Sequence, residues 1–169
     1  MDREKRLTNL YNGIYSHPGV VKTLKVLGVT STVLVALSFL YALAVLIFVG
    51  EFVSAARLIA LSGIPFAAIT LMRGFIDAKR PYEVIDCDAF SVMRDTRKNG
   101  RSFPSRHVFS AFLIGVLWLI YSPYVGCAVL FLGVVMGVGR VLLGIHFLKD
   151  VLAGAVIGIV SGLIGMLIW

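Results

Sequence analysis

Carboxylates are scarce in this chain: nine Asp and Glu stand against sixteen Lys and Arg in 169 residues, for a formal net charge of +7. They form no cluster of the kind that holds a hard divalent cation. Cysteine is rarer still. Cys87 and Cys127 are the only thiols, and they lack the CxxC or His-rich spacing of a zinc site, so neither a metal nor a structural disulfide is expected. The first 25 residues hold no continuous apolar run. The first such run comes late, is long enough to span a bilayer and is not followed by a small-residue cleavage pattern, so a cleavable signal peptide is not expected. The excess of Lys and Arg is not spread as a nucleic-acid footprint, because these residues crowd the ends of apolar segments and the loops between them. Nucleic acid is therefore not an expected partner.

What is abundant is hydrocarbon. The chain is 59% hydrophobic with a mean hydropathy of +0.92, and its long uncharged runs exceed what a soluble domain of this size buries. A helix needs about 20 apolar residues to cross a core of about 30 Å. Five segments qualify: Val26 to Val49, Val53 to Met72, a shorter one from Ser105 to Tyr121, Tyr124 to Leu143, and Val151 to Trp169. The expected fold is all-α, a single integral-membrane domain over residues 1–169 built as a polytopic helical bundle. Arg57 and Pro65 interrupt the second span, where neighbouring helices tolerate them. Small residues at Gly133, Gly137, Gly154, Gly158 and Gly162 permit close helix approach and read as internal packing.

Ahead of the first span, Leu7, Leu10, Tyr11, Ile14 and Tyr15 recur at helical spacing beside Arg3, Lys5 and Arg6, which predicts an amphipathic helix lying on the membrane surface over residues 1–25. The long loop, residues 77–101, is mixed in charge with a weakly apolar middle from Val84 to Val92, and room for a short surface helix. It contains Cys87.

Counting crossings puts the end of the second span, the start of the third, the end of the fourth and the start of the fifth on one membrane face. Charged side chains gather at these four ends. A charge near hydrocarbon costs at least about 2.5 kcal/mol, so such a cluster marks a functional site by default. Arg73 and Arg80 are two helical turns apart if the second helix runs on past the membrane surface, ending before Pro81. Paired guanidinium forks suit a tetrahedral anion, although taken alone these arginines read more readily as snorkelling boundary residues. Pro104-Ser105-Arg106-His107 lies where a loop becomes a helix, whose N-terminus presents free N–H groups to an anion; Ser105 also reads as a simple N-cap. His146 and Asp150 are four apart, one turn if this segment is helical, so that the carboxylate can reach one imidazole nitrogen and leave the other free; taken alone, a histidine on an apolar segment is more often a satisfied core residue. Arg140 taken alone is a helix-end anchor. Convergence on one face favours the functional reading over these separate ones.

Arg73-x6-Arg80-Pro81, Pro104-Ser105-Arg106-His107 and Arg140-x5-His146-x3-Asp150 together resemble the three-part signature of the type 2 phosphatidic acid phosphatase superfamily, which includes the vanadium haloperoxidases. Order, spacing and placement at helix ends all agree, and the motif-bearing part runs from Val53 to Trp169. The family pattern has lysine in place of Arg73, glycine in place of Arg106 and serine in place of Gly139, and its membrane members commonly have six spans. The resemblance implies a metal-independent hydrolase without a cofactor. His146 would attack phosphorus to form a phosphohistidine, Asp150 would hold its tautomer, and His107 would protonate the leaving oxygen and then activate water. Arg73, Arg80 and Arg140, with Ser105 and Arg106, would bind the equatorial oxygens. Lys79 is an additional candidate contact that the motif does not assign.

A site at the bilayer boundary suits an amphiphile, so the expected substrate is a lipid phosphate or diphosphate: phosphatidic acid, phosphatidylglycerol phosphate, or a polyprenyl phosphate or diphosphate. A phosphotransferase would share every one of these residues. A lipid-headgroup-binding or scrambling protein would use the arginines without needing His107, His146 and Asp150 together. With five spans, Arg57 is the one basic residue on the face opposite the site and the other fifteen share its face, so the positive-inside rule points the site to the cytoplasm of a cell-membrane protein.

Overall fold

The computed structural model describes residues 2–91 and 100–169, with side chains from residue 4 onward; the part of the long loop at 92–99 lies outside the described residues. Among the described residues there are helices and turns and no strand. The elements are α1 Asp2–Tyr15, α2 Pro18–Phe48, α3 Phe52–Ile76, the single turn α4 Pro81–Val84, a 3-10 turn at Asp88–Phe90, α5 Arg106–Tyr121, α6 Pro123–Leu142 and α7 Leu148–Ile168. Helices α2, α3, α6 and α7 are long and apolar enough to cross a bilayer. Their outward faces carry exposed Leu37, Leu40, Ile64, Phe131, Val156 and Val160, a surface that hydrocarbon covers and water would not.

Local chemistry sets the boundaries. Helix α2 starts eight residues before the apolar run, because Pro18 supplies the fixed φ of a first helical position and α1 has closed just before it. Gly50, with φ +82, makes the reversal into α3 in a conformation that L-residues avoid. Ser122 caps α6, its Oγ accepting from the Val125 N–H at 3.5 Å, with Pro123 behind it.

Helix α5 has 16 residues, a rise of roughly 24 Å and so less than a full crossing. It does not need to meet lipid along its length. Val108, Phe109, Ala111, Leu113, Val116 and Leu117 are buried, because α5 runs through the middle of the bundle. The glycines of α7 make this possible: a Cβ built on Gly154 would lie 2.6 Å from the Ser105 carbonyl oxygen, and one on Gly158 would lie 2.5 Å from that of Phe109. The two helices are thus in backbone contact where α5 begins and α7 carries Asp150. At the far end of the bundle, Tyr41 stacks on Trp118, Tyr121 meets Trp169 edge-on, and Arg57 donates to the Trp169 carbonyl at 2.9 Å. This aromatic collar suits a membrane–water interface.

Two expectations change at the site end. Helix α1 forms, but much of its apolar stripe is spent on protein: Tyr11 is buried with Tyr82, Ile85, Cys87, Phe90, Leu143 and Ile145, and Leu7, Ile14 and Tyr15 pack around them. The apolar middle of the long loop is what it packs against, so that segment forms a small second core capping the bundle. Its Cys87 is buried, with Sγ 2.9 Å from Asn12 Oδ1. The second helix also stops short of Arg80. Asp77 takes a left-handed conformation, φ 39, and closes α3, so Arg73 and Arg80 are brought together by a turn and not by helical spacing.

Candidate active site

Arg73 lies in the last turn of α3, 5% exposed. Its Nη1 donates to the carbonyls of Ser102 and Pro104, and its Nη2 to that of Arg101. Three of its five N–H donors therefore hold the 101–104 loop in place, which leaves Nε–H and one Nη2 proton. Arg80 works on the same loop from the other side. Its Nε donates to the Gly100 carbonyl at 3.0 Å and its Nη1 to the Ile145 carbonyl at 3.3 Å, while Glu83 holds the Arg80 and Gly100 N–H groups at 2.6 and 2.9 Å. The first arginine pair thus clamps the segments that carry the other two motifs.

Between α6 and α7 the chain turns on Gly144, at φ +66, with the Phe90 ring so close that a Cβ there would lie 2.3 Å from Cζ. The Arg140 carbonyl accepts the N–H groups of Ile145 and His146, which fixes the nucleophile candidate relative to Arg140. Asp150 is the third residue of α7. Its Oδ2 accepts the Phe147 N–H at 3.0 Å, half of a capping box, and its carbonyl accepts the Ser105 N–H at 2.9 Å. His146 and Asp150 are both buried, and their Nδ1 to Oδ2 distance is 3.7 Å. That is too long for a direct hydrogen bond.

Ser102 fills the gap. Fully buried, it donates from Oγ to Asp150 Oδ2 at 2.6 Å and lies 3.2 Å from His146 Nδ1. Nothing in the sequence reading singled it out, since it lies in an irregular loop and outside every motif spacing.

His107 is exposed on the first turn of α5 and opens onto a cavity of about 420 Å³, shared with Arg140, Gly139 and Lys25. A second cavity, of about 290 Å³, meets His107 from the bilayer side and is lined by Thr32, Phe66, Met136 and Arg106. Arg106 lies 6.0 Å over the Phe66 ring, the distance of a cation–π contact, so it borders the apolar cavity together with His107. Ser105 is buried beneath, and its Oγ has no hydrogen-bond partner among the described residues. Lys79 is exposed and makes no hydrogen bond or ion pair within the cluster.

Burial, opposed by the Asp150 interaction and reinforced by the charges of Arg80 and Arg140, holds the His146 pKa down to about 4. The ring is therefore neutral at physiological pH, with a lone pair available.

The PAP2 superfamily profile matches residues 35–169. The chain belongs to the PAP2 superfamily. This member resembles the bacitracin transport permease protein BcrC of Bacillus licheniformis, at 39% identity over 62 residues, 37% of this chain and 30% of that protein; the match thus spans under a third of that relative. Its fold is that of Aquifex aeolicus LpxE, with a TM-score of 0.67 at 23% identity over 94% of this chain and 93% of the other. It is also that of a transmembrane PAP2-type phosphatidylglycerolphosphate phosphatase from Bacillus subtilis, with a TM-score of 0.64 at 21% identity over 95% and 83% of the two chains. The PAP2 member described here is therefore an all-α membrane bundle that gathers Arg73, Arg80, Arg140, His107, His146 and Asp150 at one end.

Proposed function

We propose that this PAP2 protein is a membrane-embedded phosphatase acting on a lipid phosphate or diphosphate through a phosphohistidine. The observation that carries the reading is a neutral, buried His146 linked to Asp150 through Ser102 at the end of a membrane bundle, beside two arginine-bearing segments and a cavity that continues into the apolar interior. His146 Nε2 attacks phosphorus as the bond to the leaving oxygen breaks, and His107 passes a proton to that oxygen. Water then attacks the phosphohistidine, His107 takes its proton, the P–N bond breaks and phosphate leaves. Arg80 and Arg140, the remaining donors of Arg73, and Ser105 stabilise the equatorial oxygens. The unpartnered Ser105 hydroxyl fits this role, since a buried donor without an acceptor costs about 1–3 kcal/mol until an anion satisfies it. Arg106 contributes charge from the bilayer-side cavity, and Lys79 is left outside the contact set.

The cavity lined by Thr32, Phe66 and Met136 suits the hydrocarbon next to the headgroup, so phosphatidic acid, phosphatidylglycerol phosphate and polyprenyl phosphates or diphosphates are the candidate substrates. The name of one similar protein, a phosphatidylglycerolphosphate phosphatase, supports that class. The distribution of Lys and Arg favours a site facing the cytoplasm of a cell membrane. A phosphotransferase differs only in the acceptor, and product analysis separates the two.

The test is phosphate release by the purified protein across a panel of these lipids beside His146→Ala. Loss of release in the variant is expected, together with wild-type activity that survives EDTA and is inhibited by vanadate. Full activity of His146→Ala would overturn the nucleophile assignment, and loss on chelation restored by magnesium would overturn the metal-independent mechanism.

A further inference from the structure

Ser102 has every polar group of its backbone and side chain in use. Its N–H donates to the Ala78 carbonyl at 2.7 Å, and its carbonyl accepts from Arg73 Nη1 at 3.4 Å. The residue is thus bolted to the end of α3 by its main chain while its hydroxyl reaches the third motif. With no exposed surface, it has little freedom to choose other partners.

The hydroxyl has a single proton. Asp150 Oδ2 lies 2.6 Å from Oγ and already accepts the Phe147 N–H, while Oδ1 is buried with no partner among the described residues; as an ionised carboxylate the group only accepts. The Ser102 proton therefore goes to Asp150. What Oγ turns toward His146 Nδ1, 3.2 Å away, is a lone pair, and a lone pair requires Nδ1 to carry hydrogen. The neutral ring then has its own lone pair on Nε2. We infer that Ser102 is a positioning residue that selects the reactive tautomer of His146 and relays the Asp150 charge to it.

Without Ser102 the carboxylate stands 3.7 Å from Nδ1, and among the described residues no other side chain hydrogen-bonds that nitrogen to fix the tautomer. As the ring becomes cationic in the attack on phosphorus, the Nδ1–H bond to Oγ strengthens while Oγ stays bonded to Asp150. The serine therefore acts in the chemical step more than in substrate binding. It also ties Arg73 to His146, since the same residue accepts from the first and holds the second.

This inference rests on His146 as the nucleophile, and the experiment keeps the two apart. Ser102→Ala removes the hydroxyl, Ser102→Cys keeps the volume with a weak donor, and each is combined with Asp150→Asn. The loss of a hydrogen bond to a charged group predicts a fall in kcat of about 10- to 150-fold in Ser102→Ala. KM should stay within about threefold, because the interaction matters in the transition state. Ser102→Ala/Asp150→Asn should be no slower than Asp150→Asn alone, since both act through one chain of bonds. Nitrogen-15 spectra of histidine-labelled protein give a readout independent of turnover. The chain has three histidines, and His146→Gln assigns the relevant signal. The wild type should show Nδ1 protonated and Nε2 bare, and both Ser102 variants a mixture of tautomers. If Ser102→Ala does not fold, Ser102→Cys decides. Wild-type kcat in the folded variants, multiplicative losses in the double variant, or an unchanged tautomer would overturn the inference. Activity in His146→Ala sinks the nucleophile reading instead and leaves the tautomer result to judge Ser102 on its own.

Discussion

Replacing Gly154 by alanine sets two effects of opposite sign against each other. Alanine favours a helix over glycine by roughly 0.8–1 kcal/mol. The added methyl, however, lies 2.6 Å from the Ser105 carbonyl oxygen, roughly 0.8 Å inside the 3.4 Å at which ordinary contact begins. Its neighbour is backbone, so no side chain can swing aside. Helices α5 and α7 must separate, and overpacking of this kind costs about 1–3 kcal/mol, so the net change is destabilising by up to about 2 kcal/mol. The functional loss should be larger than the stability loss. A separation approaching 1 Å breaks the 2.9 Å bond from the Ser105 N–H to the Asp150 carbonyl and moves His107 away from His146. Misplacement on that scale can cost about 100-fold in rate. The assay is phosphate release from a lipid phosphate in detergent micelles, with a thermal melt beside it. Gly19→Ala is the control, since nothing lies within 4 Å of a Cβ there. Gly154→Ala retaining more than half of wild-type kcat/KM would refute the claim that α5–α7 contact sets the site.

The remaining predictions concern charge, fit and sidedness. Because burial first, and then Arg80 and Arg140, hold His146 near a pKa of 4, its protonated fraction grows only as pH falls toward that value. The acid limb of the kcat/KM profile assigned to the nucleophile should therefore lie near pH 4, and a limb at about the ordinary histidine value of 6.5 would contradict this. Gly139→Ser restores the family's residue at a place where the nearest atom to a Cβ, the Leu24 carbonyl oxygen, is 3.7 Å away. The variant should melt within a few degrees of wild type and bind vanadate a few-fold more tightly, as a titration would show. For sidedness, the site-face loop offers exposed Lys79 as a labelling position, since its own Cys87 is buried. A Lys79→Cys/Cys127→Ser protein in intact cells should resist an impermeant maleimide if the site is cytoplasmic, and labelling would place it outside.

The spans and the family were legible because each rests on a short-range rule: apolar runs of bilayer length, and fixed sequence spacings such as Arg140-x5-His146-x3-Asp150, although a turn at Gly144 and not continued helix carries His146. Ends were displaced where capping decided, as at Pro18 and Asp77. The link between Arg73 and Arg80 was misjudged for the same reason, since a turn at Asp77 does by tertiary contact what continued helix was expected to do. Ser102 was invisible. Its role depends on carbonyls of Ala78 and side chains 44 and 48 residues away, and neither composition nor periodicity reports such contacts. The stripe of α1 was seen correctly, but an apolar stripe does not say whether lipid or protein covers it. The second core at Tyr82, Cys87 and Phe90 made the difference.

The phenols of Tyr11 and Tyr15 donate to the carbonyls of Val141 and Leu143, at 3.3 and 3.1 Å. These carbonyls belong to the fraying end of α6, between Arg140 and His146. The family profile begins only at residue 35, so the helix that steadies the turn before His146 lies outside the region by which the protein is recognised. A truncation drawn at the family boundary would keep every motif residue and remove the splint from the turn that carries His146.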